Sequence, residues 1–318
     1  MRRMQGIGIV LNPKSRRNLR NPKAATRLAH RLGDHGVVRE AHSIDELHRI
    51  AEDFKRLNIQ VLGISGGDGT NHVTLTGFIN VYQGMALPQI ALLRGGTMNT
   101  IANSVGTGAG RPEGLLARLV RAYNERATRP LENVERNVMK IGDQYGFLFG
   151  TGVMCGFLRE YYRSPEPSPA VAAQTLLRGV GSALVGGETI RRMSARWRGS
   201  VSFNDGNEWG VREYFAITAG TIDHIGLNFR PYYRFKDEPG KFQMLGVHGT
   251  TMQVVRNLGR VWAAKPMQEH VAYDVLTSKA VLRSADPTQQ FFIDGDLVEA
   301  PRELEVAMGP KVRIVVIP

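Results

Sequence analysis

The fold of this chain is decided by the stretch IQVLGISGGDGT, residues 59–70. Its first seven residues are largely apolar, which predicts a short strand buried in a parallel sheet. Residues 71–82 can form a helix, so the glycines stand at the turn between a strand and a helix. Glycine lets a backbone turn tightly and approach a ligand, and the N-terminus of a helix attracts anions. The stretch therefore predicts a phosphate site.

One acidic residue lies inside this glycine turn. Asp68 stands between Gly67 and Gly69. A carboxylate beside a polyphosphate is repelled unless it holds a metal ion or accepts a proton, so Asp68 is predicted to bind Mg²⁺ or to act as a general base. An Asp-Gly pair is also an ordinary turn signal, and a purely structural role is the alternative at this point.

Two further strand candidates end in similar residues. NPKS, residues 12–15, follows the strand-like IGIVL of residues 7–11, and RGGTMN, residues 94–99, follows QIALL of residues 89–93. The carboxyl ends of parallel strands share one edge of a sheet, and ligands of open α/β sheets bind at that edge. The three turns are therefore expected to form one site.

A fourth stretch, Asp294-Gly295-Asp296, lies near the C-terminus. Together the four stretches resemble the motifs of the diacylglycerol kinase catalytic-domain family, which includes bacterial lipid kinases, sphingosine kinases and ceramide kinases. The motifs of that family are Asn-Pro-x-Ser-Gly, Gly-Gly-Asp-Gly-Thr, Gly-Thr-x-Asn-Asp and Asp-Gly-Glu. The resemblance implies a lipid kinase that uses ATP and Mg²⁺ and phosphorylates a hydroxyl of diacylglycerol or a related acylglycerol or sphingoid lipid.

The resemblance also implies roles for individual residues. The expected catalytic residues are Asp294, Asp296 and Asp68, with Asp68 at the metal and Asp294 as the base for the acceptor hydroxyl. Positions two apart on an extended strand point the same way, so the carboxylates of Asp294 and Asp296 are expected on one face, and a plain turn is the alternative. The expected nucleotide-binding residues are Asn12, Ser15, Gly66, Gly67, Asp68, Gly69, Thr70, Gly96, Thr97 and Asn99, with Lys14 as an alternative to Ser15.

The chain departs from the family pattern at four positions. Arg16 replaces the glycine of the first motif, Val73 stands where a glutamate commonly follows the glycine turn, and Thr100 replaces the second acid of the third motif. Asp296 replaces the usual glutamate. These departures concern the fine nucleotide contacts and the efficiency of catalysis, and they leave Asp68 and Asp294 in place.

The pattern along the chain changes near residue 130. Before it, strand and helix candidates alternate, which is typical of a doubly wound, mostly parallel α/β sheet. After it, short strand candidates are separated by turns, which indicates antiparallel structure, either a β-sandwich or a distorted barrel. We predict a nucleotide-binding α/β domain over residues 1–130 and a β-sandwich domain for the lipid substrate over residues 131–318, with the extreme C-terminus free to return to the first domain.

One segment interrupts the β pattern. SPEPSP, residues 164–169, leads into residues 170–193, which can be helical with glycine interruptions. The segment combines leucine and valine with several arginines. It is expected either to pack on the sandwich as a buried helix or to contact lipid as a flap.

Composition limits the possible binding partners and the possible cellular compartment of the protein. The formal net charge is +12, which predicts an anionic partner. Anionic lipid headgroups and phosphate-bearing substrates are the candidates, since no nucleic-acid module is visible, and a plain solvated surface is the alternative. The resemblance implies a lipid substrate at an anionic membrane surface, and a homodimer is allowed. Cys155 is the only cysteine, and neither a signal peptide nor an apolar run of roughly 18 to 20 residues is visible. A cytoplasmic protein in peripheral contact with the membrane is expected.

Two other functions compete with the lipid kinase. NAD kinases also carry Gly-Gly-Asp-Gly, but the other three stretches argue against that family. The departures at Arg16, Val73 and Thr100 motivate a nucleotide-binding regulator at the membrane surface that does not turn over substrate.

Overall fold

The computed structural model describes residues 6–287 and 289–318. The chain divides into two compact units. Unit 1 comprises Met1–Arg136 and Lys311–Pro318, and unit 2 comprises Asn137–Pro310.

Unit 1 is built on a parallel sheet with the strand order β2-β1-β3-β4. Ile314, near the C-terminus, pairs in parallel with Ile90 of β4, so the end of the chain extends this sheet. The elements are β1 (Ile7–Leu11), α1 (Arg16–Leu19), α2 (Ala24–Leu32), β2 (Gly36–Glu40), α3 (Ile44–Arg56), β3 (Val61–Ser65), α4 (Asp68–Tyr82), β4 (Gln89–Leu92), α5 (Thr100–Ser104) and α6 (Pro112–Glu125).

Helices cover both faces of this sheet. Ile9 of β1 packs in one cluster with Leu28 of α2 and Leu116 of α6. On the opposite face, Gly8 lies against the ring of Phe54 of α3, which contacts Phe78 of α4 edge-on with ring centroids 6.0 Å apart. All residues of β1 and β3 are buried, as expected for strands covered on both sides. The doubly wound α/β fold is confirmed.

Unit 2 is an antiparallel sandwich. One sheet has the order β12-β11-β10-β7-β14-β15, and the other contains β9-β8-β13-β16, with β5 beside β16 and β6 beside β5. The strands are β5 (Asn133–Ile141), β6 (Gln144–Gly146), β7 (Leu148–Gly150), β8 (Trp197–Phe203), β9 (Glu208–Tyr214), β10 (Ala216–Gly220), β11 (Phe242–Val247), β12 (Ala272–Thr277), β13 (Lys279–Ser284), β14 (Gln289–Ile293), β15 (Asp296–Ala300) and β16 (Glu303–Val315).

The two sheets bury a shared apolar core. Ile217 and Phe291 from the first sheet pack in one cluster with Val201, Leu282 and Val306 from the second. Alternating residues of each strand supply this core, because successive side chains of a strand point to opposite faces. The predicted β-sandwich is confirmed.

Unit 2 contains more helix than the sequence pattern predicted. The helices are α7 (Val153–Tyr162), α8 (Pro169–Leu184), α9 (Glu188–Met193) and α10 (Thr251–Trp262). The segment predicted as helical forms α8 and α9, but α7 and α10 were missed, so the expectation of a single helical interruption is wrong. A sequence signal for α10 existed, because Thr250 and Gln253 form a capping box at its N-terminus.

None of the helices within residues 6–287 and 289–318 is long and apolar enough to cross a bilayer.

Candidate functional site

The three predicted turns of unit 1 meet at one edge of its sheet. The N–H of Asn12, just after β1, donates to the carbonyl of Ser65 at the end of β3 (3.1 Å). Leu93, just after β4, donates to the carbonyl of Ile64 (2.9 Å). The amide of Asn12 also donates to the hydroxyl of Thr70 in the first turn of α4 (3.0 Å). The first turn of the site is therefore held against the second by both backbone and side chain.

The second and third turns touch through their glycine backbones. A Cβ added to Gly96 would lie 2.3 Å from the Cα of Gly67, and one added to Gly95 would lie 2.7 Å from the backbone nitrogen of Gly66. Such distances are far below van der Waals contact, so a side chain at Gly95 or Gly96 would force the two turns apart. Glycine is required here for loop packing, in addition to the predicted access for phosphates.

We expect Gly67→Val to abolish measurable ATP binding. A Cβ at this position already lies 3.2 Å from the Cα of Gly96, and a branched side chain would fill the space beside both turns. Isothermal titration with ATP, alongside a thermal melt, measures the effect. Gly114→Ala in α6 is the matched control, because its Cβ meets no atom within 4 Å. A folded Gly67→Val protein with wild-type affinity for ATP would contradict the predicted phosphate-binding role of the glycine turn.

Asp68 joins the second turn to the third. Its carboxylate accepts hydrogen bonds from the backbone N–H groups of Thr100 (2.9 Å) and Ile101 (3.2 Å). These are the first two residues of α5, so Asp68 satisfies donors that a helix start leaves unpaired. Burial raises the pKa of Asp68, and the bonds from Thr100 and Ile101 and the charge of Arg94 oppose that shift. A structural role for Asp68 is therefore present, whatever its chemical role.

Arg94 is a residue of this site to which the sequence pattern assigned no role. Its guanidinium donates to the carbonyl of Thr107, and Arg17 donates to the carbonyl of Arg94 itself (3.1 Å). Burial lowers the pKa of Arg94, while the charge of Asp68 opposes that shift. The signal available in sequence was its position, directly after an apolar strand and before two glycines. Arg94 supplies positive charge beside the acid of the glycine turn.

The first turn contributes polar side chains to the candidate site, whereas the third turn contributes mainly its backbone shape. The hydroxyl of Ser15 is buried and has no hydrogen-bond partner within residues 6–287 and 289–318, whereas the ammonium of Lys14 donates to the carbonyl of His42 (2.9 Å). Ser15 therefore presents a buried polar group without a partner, and the ammonium of Lys14 keeps two of its three donors. Asn99 has a positive φ of 49° and exchanges hydrogen bonds with the backbone of Gly96, so it shapes the third turn. Thr97 lies partly buried in the same turn.

These groups fit a polyphosphate with one metal ion. Gly69 and Thr70 lie in the first turn of α4, where N–H groups lack helical partners, and the unpaired Ser15 hydroxyl is a further donor. No group of three or more metal-ligating side chains occurs in the part of the chain that the structure describes. Mg²⁺ in phosphoryl-transfer sites uses one or two carboxylates together with substrate phosphates, and the carboxylate of Asp68 retains acceptor capacity beyond the bonds from Thr100 and Ile101.

Asp294 lies in a turn, and its predicted placement on an extended strand is wrong. Asp294 and Gly295 form the two-residue connection between β14 and β15, with φ angles of 47° and 100°. Asp-Gly favours such a hairpin, because both central residues need positive φ. Asp296 is the first residue of β15. The two acids therefore do not occupy alternate positions of one strand.

The Asp294 side chain is buried and bonded to the neighbouring strand. Its carboxylate accepts the N–H groups of Phe147 (3.0 Å) and Leu148 (2.8 Å), and the residue is 2% exposed. The observed role is to hold the β14–β15 hairpin to the start of β7. Asp294 and Asp296 belong to unit 2 and Asp68 to unit 1, and their joint action in catalysis stays a prediction.

A comparison with models of known protein families indicates the class of protein that this chain resembles. Residues 7–129 match the family model of the diacylglycerol kinase catalytic domain, which confirms the resemblance read from the sequence. The match supports a kinase of the lipid-kinase type. No curated protein matches the chain.

Solved structures from Bacillus anthracis str. Sterne share the fold. One is described as a diacylglycerol kinase (TM-score 0.62) and two as putative diacylglycerol kinases (0.69 and 0.64). Each is 14% identical in sequence, and the alignments cover 99% of this chain and 98% or 99% of the other. At this identity the similarity establishes the two-domain fold alone.

Proposed function

We propose that the protein is an ATP-dependent lipid kinase that transfers the γ-phosphate to a hydroxyl of diacylglycerol or a related acylglycerol or sphingoid lipid. The observation that carries this proposal is the backbone contact of Gly66 and Gly67 with Gly95 and Gly96 beside the N-terminus of α4. This cradle lies within the residues that match the diacylglycerol kinase catalytic domain.

On the nucleotide side, the chain's task is positioning and charge neutralisation. The packed glycines bring the second and third turns together, and Ser15 and the first turn of α4 supply donors. Mg²⁺ held through Asp68 would neutralise phosphate charge. Because Thr100 and Ile101 fix both oxygens of Asp68, that carboxylate is already oriented before any ligand binds.

On the acceptor side, we propose Asp294 as the base. The acceptor proton would pass to its carboxylate as the hydroxyl oxygen bonds to the γ-phosphorus and the bond to the ADP oxygen breaks. The bonds from Phe147 and Leu148 fix the direction of the carboxylate, because Oδ1 accepts both N–H groups and Oδ2 accepts that of Phe147. Asp296, at the start of β15, would orient its neighbour.

A nucleotide-binding regulator without turnover is the second candidate. The observation that favours it is that both oxygens of Asp68 already accept backbone N–H groups, which is a complete structural role. Thr100, where the family has an acid, leaves the third motif without its second carboxylate.

Transfer of label from γ-labelled ATP separates these functions. The acceptor panel contains diacylglycerol, monoacylglycerol, sphingosine and NAD, each with Mg²⁺ and with a chelator. We expect label in a lipid and only with Mg²⁺. Label in NAD would make the protein an NAD kinase, and ATP binding without transfer to any acceptor would favour the regulator.

A further inference from the structure

The outer face of α8 in unit 2 is apolar. Leu177 is 70% exposed, Leu184 63% and Val185, which follows the helix, 80%. Together with exposed Gly181 they form one stripe, because positions three, four and seven apart share a helix face. The opposite face is anchored on unit 2 through buried Ala172, Thr175 and Gly179. We call Leu177, Gly181, Leu184 and Val185 the outer stripe.

The outer stripe differs from an ordinary solvated helix face. α8 has no acidic residue, and Arg178 is its only charged residue. The exposed face of α3, by contrast, carries Asp45, Arg49, Glu52 and Arg56. An exposed helix face of leucine and valine with a cation beside it can be buried at the boundary between the headgroups and acyl chains of a membrane.

Positive charge flanks the outer stripe. Residues 153–198 contain seven arginines against three glutamates. The N–H of Ile190 donates to the Ser182 hydroxyl (3.0 Å), which places exposed Arg191 of α9 beside the last turn of α8. Two of these three glutamates are paired, because Glu160 contacts Arg163 and Arg192, and Glu188 contacts Arg192. The flanking field is therefore positive.

We propose that the outer stripe inserts into the surface of an anionic bilayer, with Arg178 and Arg191 at the lipid headgroups. This inference rests on the proposed function, since it names the surface by which a lipid kinase would reach acceptors in a membrane. A bilayer supplies both an apolar layer and negative charge. A second copy of the chain would supply an apolar surface but no negative charge. Two outer stripes packed together would bring their arginines close to one another.

Vesicle flotation tests the proposal with the double variant Leu177→Glu/Leu184→Glu. Vesicles of phosphatidylcholine with or without phosphatidylglycerol are used over a salt series. We expect the wild-type protein to bind the anionic vesicles, less so at higher salt, and the double variant to bind at least about tenfold more weakly. Val211→Glu is the matched control, because Val211 is 68% exposed on β9 of the same unit. Its binding should equal that of the wild type.

Two further measurements separate this surface from the active site. Arg178→Gln/Arg191→Gln should keep the fold and lose the preference for anionic vesicles. In a kinase assay, Leu177→Glu/Leu184→Glu should lose activity on acceptors embedded in vesicles and retain it on a dispersed short-chain acceptor.

Several outcomes would overturn the surface proposal. Wild-type flotation of a folded double variant would do so, as would light scattering that shows a wild-type dimer dissociated by these substitutions. A wild-type protein that labels no acceptor would overturn the proposed function, while flotation would still decide the role of the outer stripe.

Discussion

We expect Asp68→Asn to give a folded protein whose phosphoryl transfer is lowered by about 10²-fold or more. The amide keeps one oxygen to accept from Thr100 or Ile101, but it carries no charge to hold Mg²⁺ or take a proton. Single-turnover transfer from labelled ATP measures the rate of phosphoryl transfer, and a thermal melt shows whether the variant is folded. Near-wild-type transfer by a folded Asp68→Asn protein would remove Asp68 from the mechanism.

Stability provides a control for this variant. Burial raises the pKa of Asp68 above its ordinary 3.8, so the native state holds this proton more strongly than the unfolded chain does. The stability that this residue contributes is therefore fully present below about pH 4 and is lost as pH rises through the raised pKa. Asparagine does not titrate, so the melting temperature of Asp68→Asn relative to wild type should rise with pH. A relative melting temperature that falls as pH rises would contradict the raised pKa.

A second control variant loses a helix N-cap at a position outside the candidate site. Thr250→Ala removes the hydroxyl that accepts the N–H of Gln253 at the start of α10, and N-cap losses of this kind cost about 1 kcal/mol. This variant should keep full transfer. Loss of activity in Thr250→Ala would show that transfer responds to stability in general.

The second large effect is expected at Asp294. Asp294→Ala would leave the buried N–H groups of Phe147 and Leu148 without their acceptor and would place alanine at a φ of 47°. Each of these effects costs on the order of 1–3 kcal/mol, so the free energy of unfolding should fall by about 2–5 kcal/mol. Urea unfolding measures this loss. An unchanged free energy of unfolding would contradict the observed clamp.

Asp294→Asn separates the structural role from the chemical one. Asparagine tolerates positive φ and keeps one acceptor oxygen, so this variant should fold. A base acts on the acceptor and contributes little to ATP binding, so kcat should fall by about 10²-fold with ATP affinity unchanged. Asp296→Glu is the matched control and should be tolerated. Full kcat in folded Asp294→Asn would leave Asp68 as the remaining candidate base.

The α/β fold of unit 1 was predictable from local signals. Buried parallel strands are written as continuous apolar runs such as residues 7–11, and α3 shows both an apolar face and an N-cap at Ser43. The glycine turns were likewise visible, because their composition is unusual wherever they occur. In unit 2 the helices α7 and α10 were hidden among short strands, although the capping box at Thr250 was available.

The sequence by itself determined the alternation of strands and helices in unit 1, the three strand ends that carry glycine or small polar residues, and the family resemblance. Tertiary structure alone decided that Gly67 packs on Gly96, that Asp68 binds the N–H groups of Thr100 and Ile101, and that Asp294 clamps a hairpin to β7. The physical reason is that these contacts join residues far apart in the chain. Whether two such backbones meet depends on strand order and on the path of each loop, and local propensity and periodicity do not encode either.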